Sequence, residues 1–239
     1  MKALIDNILF NYSYIILYVL SFGYFLILYF GIGTLFLSIC KGLERRQLVN
    51  KIINVAVPKT QIAFEIKHSI KSIIVFGFSI IPIIYLIRVD VITLLPNTWF
   101  NVIGGIVLLT LWNEVHFYIV HRVLHQTFMM KHVHFIHHKS KIPTVYSVYS
   151  FHWIEALLLS TVPLTIVPFM PFSIVAVFIY PLASIVLNFA GHCNYRFGNG
   201  TGHDVKLFGT HHNEHHSRGR RNYGFSLNFL DKLFSKRNK

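Results

Sequence analysis

Charged residues are scarce in this chain. Only 13% of its 239 residues are charged, whereas a soluble domain usually has about 25%. Acidic residues are the scarcest, with nine against 22 basic ones, and cysteine is limited to Cys40 and Cys193. The shortage of charge excludes an ordinary soluble globular protein. The two cysteines are far apart in sequence and outside any metal or redox spacing, which predicts buried free thiols and no disulfide framework.

Long apolar runs take the place of the missing charge, in a chain that is 54% hydrophobic. The first run is longer than the roughly 20 residues that span a bilayer. It is also too long for the apolar core of a cleavable signal peptide, and no charged segment precedes it. The last run has Pro168 and Pro171 at its middle, and its two halves are each short for a crossing, which predicts an out-and-back helical hairpin. The runs cover about residues 8–40, 69–87, 99–112 and 156–190.

Basic residues are distributed unevenly around these runs. If the first three runs cross and the fourth goes out and back, Lys2 and Arg88 lie on one side and the other twenty of the 22 basic residues lie on the opposite side. Lys and Arg accumulate on the cytoplasmic side of membranes, so the amino terminus is expected to face out. The net charge of +13 suits anionic lipid headgroups, and we expect no nucleic-acid partner.

Histidine is concentrated on that basic side, because fourteen of the 15 follow residue 115. Eight of them form three clusters with helical spacing, "HRVLH", "HFIHH" and "HNEHH". On a helix these offsets place the side chains on one face, and neutral imidazole is a common ligand of iron, zinc and copper. The pattern predicts a metal site formed by these residues: His121, His125, His134, His137, His138, His212, His215 and His216.

The number of histidines indicates two metal ions. A zinc site takes at most four protein ligands, and eight are present. A carboxylate-rich di-iron site needs glutamates from four helices, which this half of the chain supplies poorly. An all-nitrogen dinuclear site therefore fits best.

Two other interpretations of "HHNEHH" stay open. His211, Glu214 and His215 also spell H-x-x-E-H, a motif of zinc-dependent hydrolases. A non-enzymatic haem or metal carrier would need only paired axial histidines on membrane helices. Neither alternative explains all three clusters.

The motifs "YIVHRVLH" (118–125), "HFIHHKS" (134–140), and "HNEHH" followed by "NYGFSLNFLDKLF" (222–234) resemble the membrane fatty acid hydroxylase/sterol desaturase superfamily, over about residues 110–235. The resemblance implies a non-haem di-iron enzyme that uses O2 and external electrons to hydroxylate or desaturate a lipid such as a fatty acyl chain or a sterol. No fused electron-transfer segment is visible, so we expect a separate donor, such as a cytochrome b5-like protein, a ferredoxin or a reductase.

The resemblance also suggests further site residues. The family often has another histidine between its second and third motifs, and "NFAGHCNY" places His192 there as a ninth metal ligand. Some relatives have a histidine four residues earlier, where this chain has Asn188, so Asn188 is a candidate to bind metal weakly or through a water, or to form only a hydrogen bond. The stretch "HWIE" resembles a family HPxE motif with Trp153 in place of the proline, so His152 and Glu155 are expected either to orient ligands or to cap the hairpin at the membrane interface. Outside the motifs, His211 is interpreted as a residue that supports the site or is solvated.

These observations together predict an all-α integral membrane protein. We expect about three transmembrane helices plus the short hairpin, and a cytoplasmic helical cap that holds a histidine-rich dinuclear metal site. The chain is expected to form one membrane domain (1–239), with membrane helices in 1–100 and the histidine-box catalytic region in 110–235. Its small size favours a bacterial inner membrane, with the endoplasmic reticulum left open.

Overall fold

The structure, a computed structural model, describes residues 2–197, 210–218 and 222–234. Helices dominate it, as predicted. The first six are α1 (Lys2–Asn11), α2 (Tyr14–Leu26), α3 (Gly33–Arg45), α4 (Lys59–Gly77), α5 (Ile81–Arg88) and α6 (Trp99–Leu124). The next six are α7 (Thr127–Met129), α8 (Phe135–His138), α9 (Trp153–Ser160), α10 (Ile174–His192), α11 (Thr210–Arg218) and α12 (Phe229–Phe234). Two π-helical turns, Ile27–Ile32 and Met130–His134, lead into α3 and α8.

Four helical segments are long and apolar enough to cross a membrane, which confirms the prediction of an integral membrane protein. They are Tyr14–Arg45, Lys59–Arg88, Trp99–Leu124 and Ile174–His192. The two arms of the predicted hairpin are unequal. Its outward arm is the eight-residue α9 followed by a 3-10 turn at Pro163–Thr165, whereas its return arm α10 has 19 residues and can cross alone. In the outward arm, Pro163 follows the end of α9 and begins a 3-10 turn, and Pro168 and Pro171 come after it. In the return arm, Pro181 is accommodated inside α10.

Hydroxyl side chains cap the first turn of three of the four candidate spans, and the span that begins at Lys59 follows Pro58 without a side-chain cap. Ser13, Thr98 and Ser173 each accept a hydrogen bond from a backbone N–H in the first turn of α2, α6 and α10. Such caps satisfy N–H groups that have no partner within the helix. This matters more in a membrane, where water cannot replace the missing partner.

Two short sheets connect segments that are distant in sequence. β1 (Val49–Lys51) pairs antiparallel with β4 (Tyr195–Phe197), and β2 (Leu94–Leu95) pairs parallel with β3 (Phe172–Ser173). The first pair joins the segment after α3 to the segment after α10. The second pair joins the segment before α6 to the segment before α10. The carboxyl ends of α6 and α10, which carry histidines, therefore lie at the same end of the bundle.

Close packing fixes α6 against α10. A Cβ atom placed on Gly105 of α6 would lie 2.7 Å from the Cβ of Ala176, so only glycine permits this approach. Near the other end of α10, a Cβ on Gly33 of α3 would lie 3.0 Å from the Phe189 ring. Around these contacts, Cys40 and Cys193 are both buried and free, as predicted.

Candidate metal centre

The nine histidines predicted as ligands lie together in two groups. In each group, one ligand atom from every member lies within 4.8 Å of the others. The five-histidine group consists of His121, His125, His134, His138 and His215. The four-histidine group consists of His137, His192, His212 and His216.

Helical periodicity explains how the second and third motifs each contribute to both groups. α8 places His137 in one group and His138 in the other, and α11 does the same with His216 and His215. Adjacent residues on a helix point about 100° apart, so each doublet divides between two centres. His192, at the carboxyl end of α10, completes the four-histidine group.

The ring nitrogens are spaced like ligands around metal ions. In the five-histidine group, Nε2 of His215 lies 2.9 Å from Nε2 of His125 and 3.2 Å from Nε2 of His138, and the latter two are 3.3 Å apart. Metal–nitrogen bonds of about 2.1 Å place neighbouring ligand atoms about 3.0–3.4 Å apart in octahedral or tetrahedral geometry. In the four-histidine group, Nε2 of His192 lies 3.4 Å from that of His137 and 3.2 Å from that of His216.

Hydrogen bonds alone do not satisfy the triangle formed by His125, His138 and His215. A ring nitrogen is either a donor or an acceptor, so three mutually adjacent nitrogens include at least two of the same kind. In at least one of the three pairs, therefore, either two N–H protons or two lone pairs point at each other. A cation bound by the lone pairs removes this conflict, so the donor set fits a metal ion.

Hydrogen bonds on the opposite ring nitrogen set the orientation of three histidines. Nδ1 of His121 donates to the Tyr223 carbonyl at 2.8 Å, and Nδ1 of His192 donates to the Asn188 carbonyl at 2.9 Å. Nδ1 of His134 lies 2.8 Å from Oε1 of Glu155. A carbonyl oxygen only accepts, so His121 and His192 carry their proton on Nδ1 and have a free lone pair on Nε2. Nε2 of His121 and of His134 is buried with no hydrogen-bond partner among the described residues.

Burial keeps the imidazoles neutral, which is the form that binds metal. It lowers the pKa of His125 and His138 to about 3, and repulsion from His215 adds to the effect. Burial likewise lowers the pKa of four further histidines far below the usual value, with repulsion from other site histidines contributing. These are His134, His137, His212 and His216. Burial also raises the pKa of Glu155 well above its ordinary value.

Two carboxylates hold the segment that provides the Tyr223 carbonyl. Glu114 on α6 accepts from the backbone N–H groups of Ser226 and Leu227, and from the Ser226 hydroxyl. Asp231 on α12 accepts from the N–H groups of Tyr223 and Gly224, at 2.9 and 2.8 Å. No sequence pattern predicted this role of Glu114. Asp231 belongs to the stretch "NYGFSLNFLDKLF" (222–234) that resembles the family, and this resemblance was the one sequence signal that pointed to it.

The remaining predicted residues lie around the groups with different contacts. Asn188 contributes its backbone carbonyl, and its side-chain amide donates to the Val148 carbonyl at 3.2 Å. His152 caps α9, where its Nδ1 accepts from the Ile154 N–H at 3.3 Å. His211 makes a 3.1 Å hydrogen bond with the Asn228 side chain and belongs to neither histidine group.

An apolar cavity of about 340 Å³ lies beside the histidines, with walls from α2, α4, α5, α6, α9 and α10. Phe117 and Phe151 line it and also contact the site, with ring centroids 4.9 Å from His121 and 4.8 Å from His137, respectively. Within the described ranges no histidine lines the cavity. One layer of aromatic rings therefore separates it from the candidate metal centre.

Comparison with known proteins gives a family and three relatives. The fatty acid hydroxylase family matches residues 106–236. The chain is 27% identical to lathosterol oxidase of Rattus norvegicus over 190 residues, which cover 73% of this chain and 60% of the relative. It is 28% identical to lathosterol oxidase of Mus musculus over 134 residues, 54% of this chain and 42% of that one. It is 30% identical to a probable Delta(7)-sterol 5(6)-desaturase of Neurospora crassa over 117 residues, 46% and 33% of the two chains.

The chain thus spans 60% or less of the length of these relatives. No solved structure matches it. The family match covers more than half of the 239 residues and includes all nine histidines of the two groups. The chain therefore belongs to the fatty acid hydroxylase/sterol desaturase superfamily, as its histidine motifs predicted.

Proposed function

We propose that this protein is an O2-dependent membrane oxidoreductase of the non-haem di-iron type that hydroxylates or desaturates a lipid. The observation that carries the proposal is the division of nine histidines into two groups with ligand-like nitrogen spacing, beside an apolar cavity. The sterol-oxidising relatives support a sterol or a related lipid as substrate.

Each part of the centre has a defined task in this proposal. The five-histidine and four-histidine groups each hold one iron ion, and bound iron supplies the activation of O2 that attack on an unactivated C–H bond requires. Tyr223, Glu155 and Asn188 orient the ligand rings by hydrogen bonds on Nδ1. The cavity holds the apolar body of the substrate and excludes water.

The distribution of basic residues supports a cytoplasmic position for the centre. Electrons then come from a separate cytoplasmic donor. We propose that the whole chain, 1–239, acts as one membrane unit, with the histidine-box region at 110–235 as its catalytic part.

Metal content and product analysis test the proposal together. Protein purified in mild detergent from iron-supplemented cells, without chelators, should contain two metals per chain. With a reductant, O2 and a membrane lipid extract, mass spectrometry should find a lipid that gained one oxygen atom or lost two hydrogen atoms. No such product from iron-loaded protein would contradict the proposal.

The zinc hydrolase alternative predicts a different result. It requires His211 and His215 on one metal, but His211 lies outside both groups. One zinc per chain that depends on His215 and not on His121 or His134 would favour it, as would hydrolysis that is lost in Glu214→Gln.

A further inference from the structure

One polar side chain in the cavity wall lacks a hydrogen-bond partner. Asn113 lies within α6, which is a candidate membrane span, and lines the cavity. It is only 5% exposed, and its Nδ2 has no partner among the residues that the structure describes. A buried amide without a partner is costly to the fold, and polar residues inside a membrane commonly mark functional sites.

The position of Asn113 connects the cavity with the candidate metal centre. Asn113, Phe117 and His121 follow one another at intervals of four residues along α6, so they lie on the same side of the helix. With a rise of 1.5 Å per residue, Asn113 lies about 6 Å before Phe117 and about 12 Å before His121. A group bound at Asn113 therefore lies within one small lipid molecule's length of the histidines.

Most of the cavity wall is apolar, with Phe117, Val177 and Phe225 among its residues, and the hydroxyl-bearing residues Ser160, Tyr180 and Ser184 also line it. The hydroxyl of Thr110, one turn earlier on α6, already bonds to the Ile106 carbonyl at 2.8 Å. The side chain of Asn113 thus lines a largely apolar space while its Nδ2 has no acceptor among the described residues, and an oxygen atom on an occupant of the cavity would be a suitable partner for this amide.

We propose that Asn113 determines substrate specificity through a hydrogen bond between its side-chain amide and an oxygen-bearing group of the bound lipid. The ligand is then an apolar skeleton that carries a hydroxyl or carbonyl oxygen inside the cavity, and not a plain hydrocarbon chain whose polar atoms all remain at the membrane surface. This inference rests on the proposed function for its link to catalysis. A sterol alcohol and a hydroxylated acyl chain both provide this chemistry.

Equilibrium binding of two matched pairs of lipids to the full-length protein in nanodiscs tests the inference. Cholestanol and cholestane form the ring pair, and ricinoleate and oleate form the chain pair. The wild-type protein should bind the hydroxylated member of one pair more tightly, and that pair identifies the ligand source. Asn113→Leu, which keeps the side-chain size, should weaken binding of the hydroxylated member about 10-fold and leave its partner unchanged.

Thr110→Val is the matched control, because it removes a hydroxyl from the same helix outside the cavity wall, and it should change neither affinity. Equal binding of both members of each pair by the wild-type protein would overturn the inference without any variant. Equal weakening of both members in Asn113→Leu would also overturn it, because it would indicate a packing role.

Binding is measured without O2 or reductant, so it does not depend on turnover. Lipid oxidation without any preference for the hydroxylated lipids would contradict the role of Asn113 and leave the proposed function intact. Suppose instead that the protein oxidises no lipid but binds the hydroxylated lipids more tightly, and that Asn113→Leu abolishes this preference. That result would contradict the proposed function and leave the role of Asn113 intact.

Discussion

The two histidine groups are built in different ways. In the five-histidine group, His121 and His134 are fixed by the Tyr223 carbonyl and the Glu155 carboxylate, while His125 and His138 are only partly buried. In the four-histidine group every member is buried. His192 has the Asn188 carbonyl, but Nδ1 of the other three has no partner in the described part of the chain.

This difference shows two means of orienting metal ligands. The five-histidine group depends on directed hydrogen bonds from outer residues, meaning residues such as Tyr223 and Glu155 that hydrogen-bond a ligand ring and are not ligands themselves. Such bonds raise ligand basicity and fix ring orientation. The four-histidine group depends on close packing of rings in a dry interior. Changes to outer residues should therefore affect the first group more than the second.

Removing one ligand from each group should have the largest effect. His216→Ala leaves three histidines in the four-histidine group, whereas His215→Ala leaves four in the five-histidine group. We expect both variants to lose lipid oxidation by more than about 100-fold, beyond the usual effect of outer residues. His216→Ala should lose its metal more completely, as measured by metal analysis of the purified protein.

His132→Ala is the control for these variants, because His132 is exposed and packs only beside the Phe128 ring among the described contacts. It should retain its metal and its activity. A folded His216→Ala protein with its full metal content and activity would show that the group is not a metal site.

Removing the Glu155 carboxylate should weaken metal binding in the five-histidine group and leave metal binding in the four-histidine group unchanged. Glu155→Leu takes away the partner of His134 Nδ1 and should weaken metal binding in the five-histidine group by about 10–100-fold. Glu155→Gln retains an acceptor and should recover most of the affinity. Chelator titration should then release one metal early and the other at the wild-type concentration, and parallel release of both would contradict the comparison.

Acid should destabilise the metal-free protein. The folded-state pKa of His125 and His138 is about 3, below the ordinary histidine value of 6.5, so the unfolded chain binds more protons than the folded one between these values. Stability therefore falls as pH decreases from 6.5 towards 3. Glu155, with its raised pKa, opposes this trend above its ordinary pKa of 4.5, but one carboxyl is outnumbered by the histidines. Thermal unfolding should occur at a lower temperature at pH 5 than at pH 7, and an equal or higher value would contradict it.

The smallest effect is expected from the segment that provides the Tyr223 carbonyl. Glu114→Gln replaces one acceptor oxygen with a donor that faces the N–H groups of Ser226 and Leu227. We expect a loss of about 1–3 kcal/mol in stability, seen as a lower unfolding temperature and faster proteolysis near residue 226. Metal loss should be confined to the five-histidine group, and loss from the four-histidine group alone would contradict this assignment.

Motif spacing was sufficient to predict that the eight histidines of the three motifs come together, whereas His192 followed from the family resemblance. His121, His134 and His215 are separated by short and long stretches of sequence, yet their helical offsets and the hairpin place them at one end of the bundle. The spacing could not predict which metal each histidine faces, because that depends on how α8 and α11 are rotated against each other. It also could not identify the Tyr223 carbonyl, because any residue can contribute a backbone oxygen.

The amino-acid sequence was enough to predict the membrane character, the helical class and eight of the candidate ligands, because apolar run length and histidine spacing are local properties, and the family resemblance added His192. The division of those ligands into groups of five and four depends on how the helices pack. Tertiary packing also determines the unequal arms of the hairpin, the support from Glu114 and Glu155, and the unpaired amide of Asn113 in the cavity. These features depend on distances between residues that are remote in sequence. Those distances are set by the packing of α6 against α10, and of α11 against both helices.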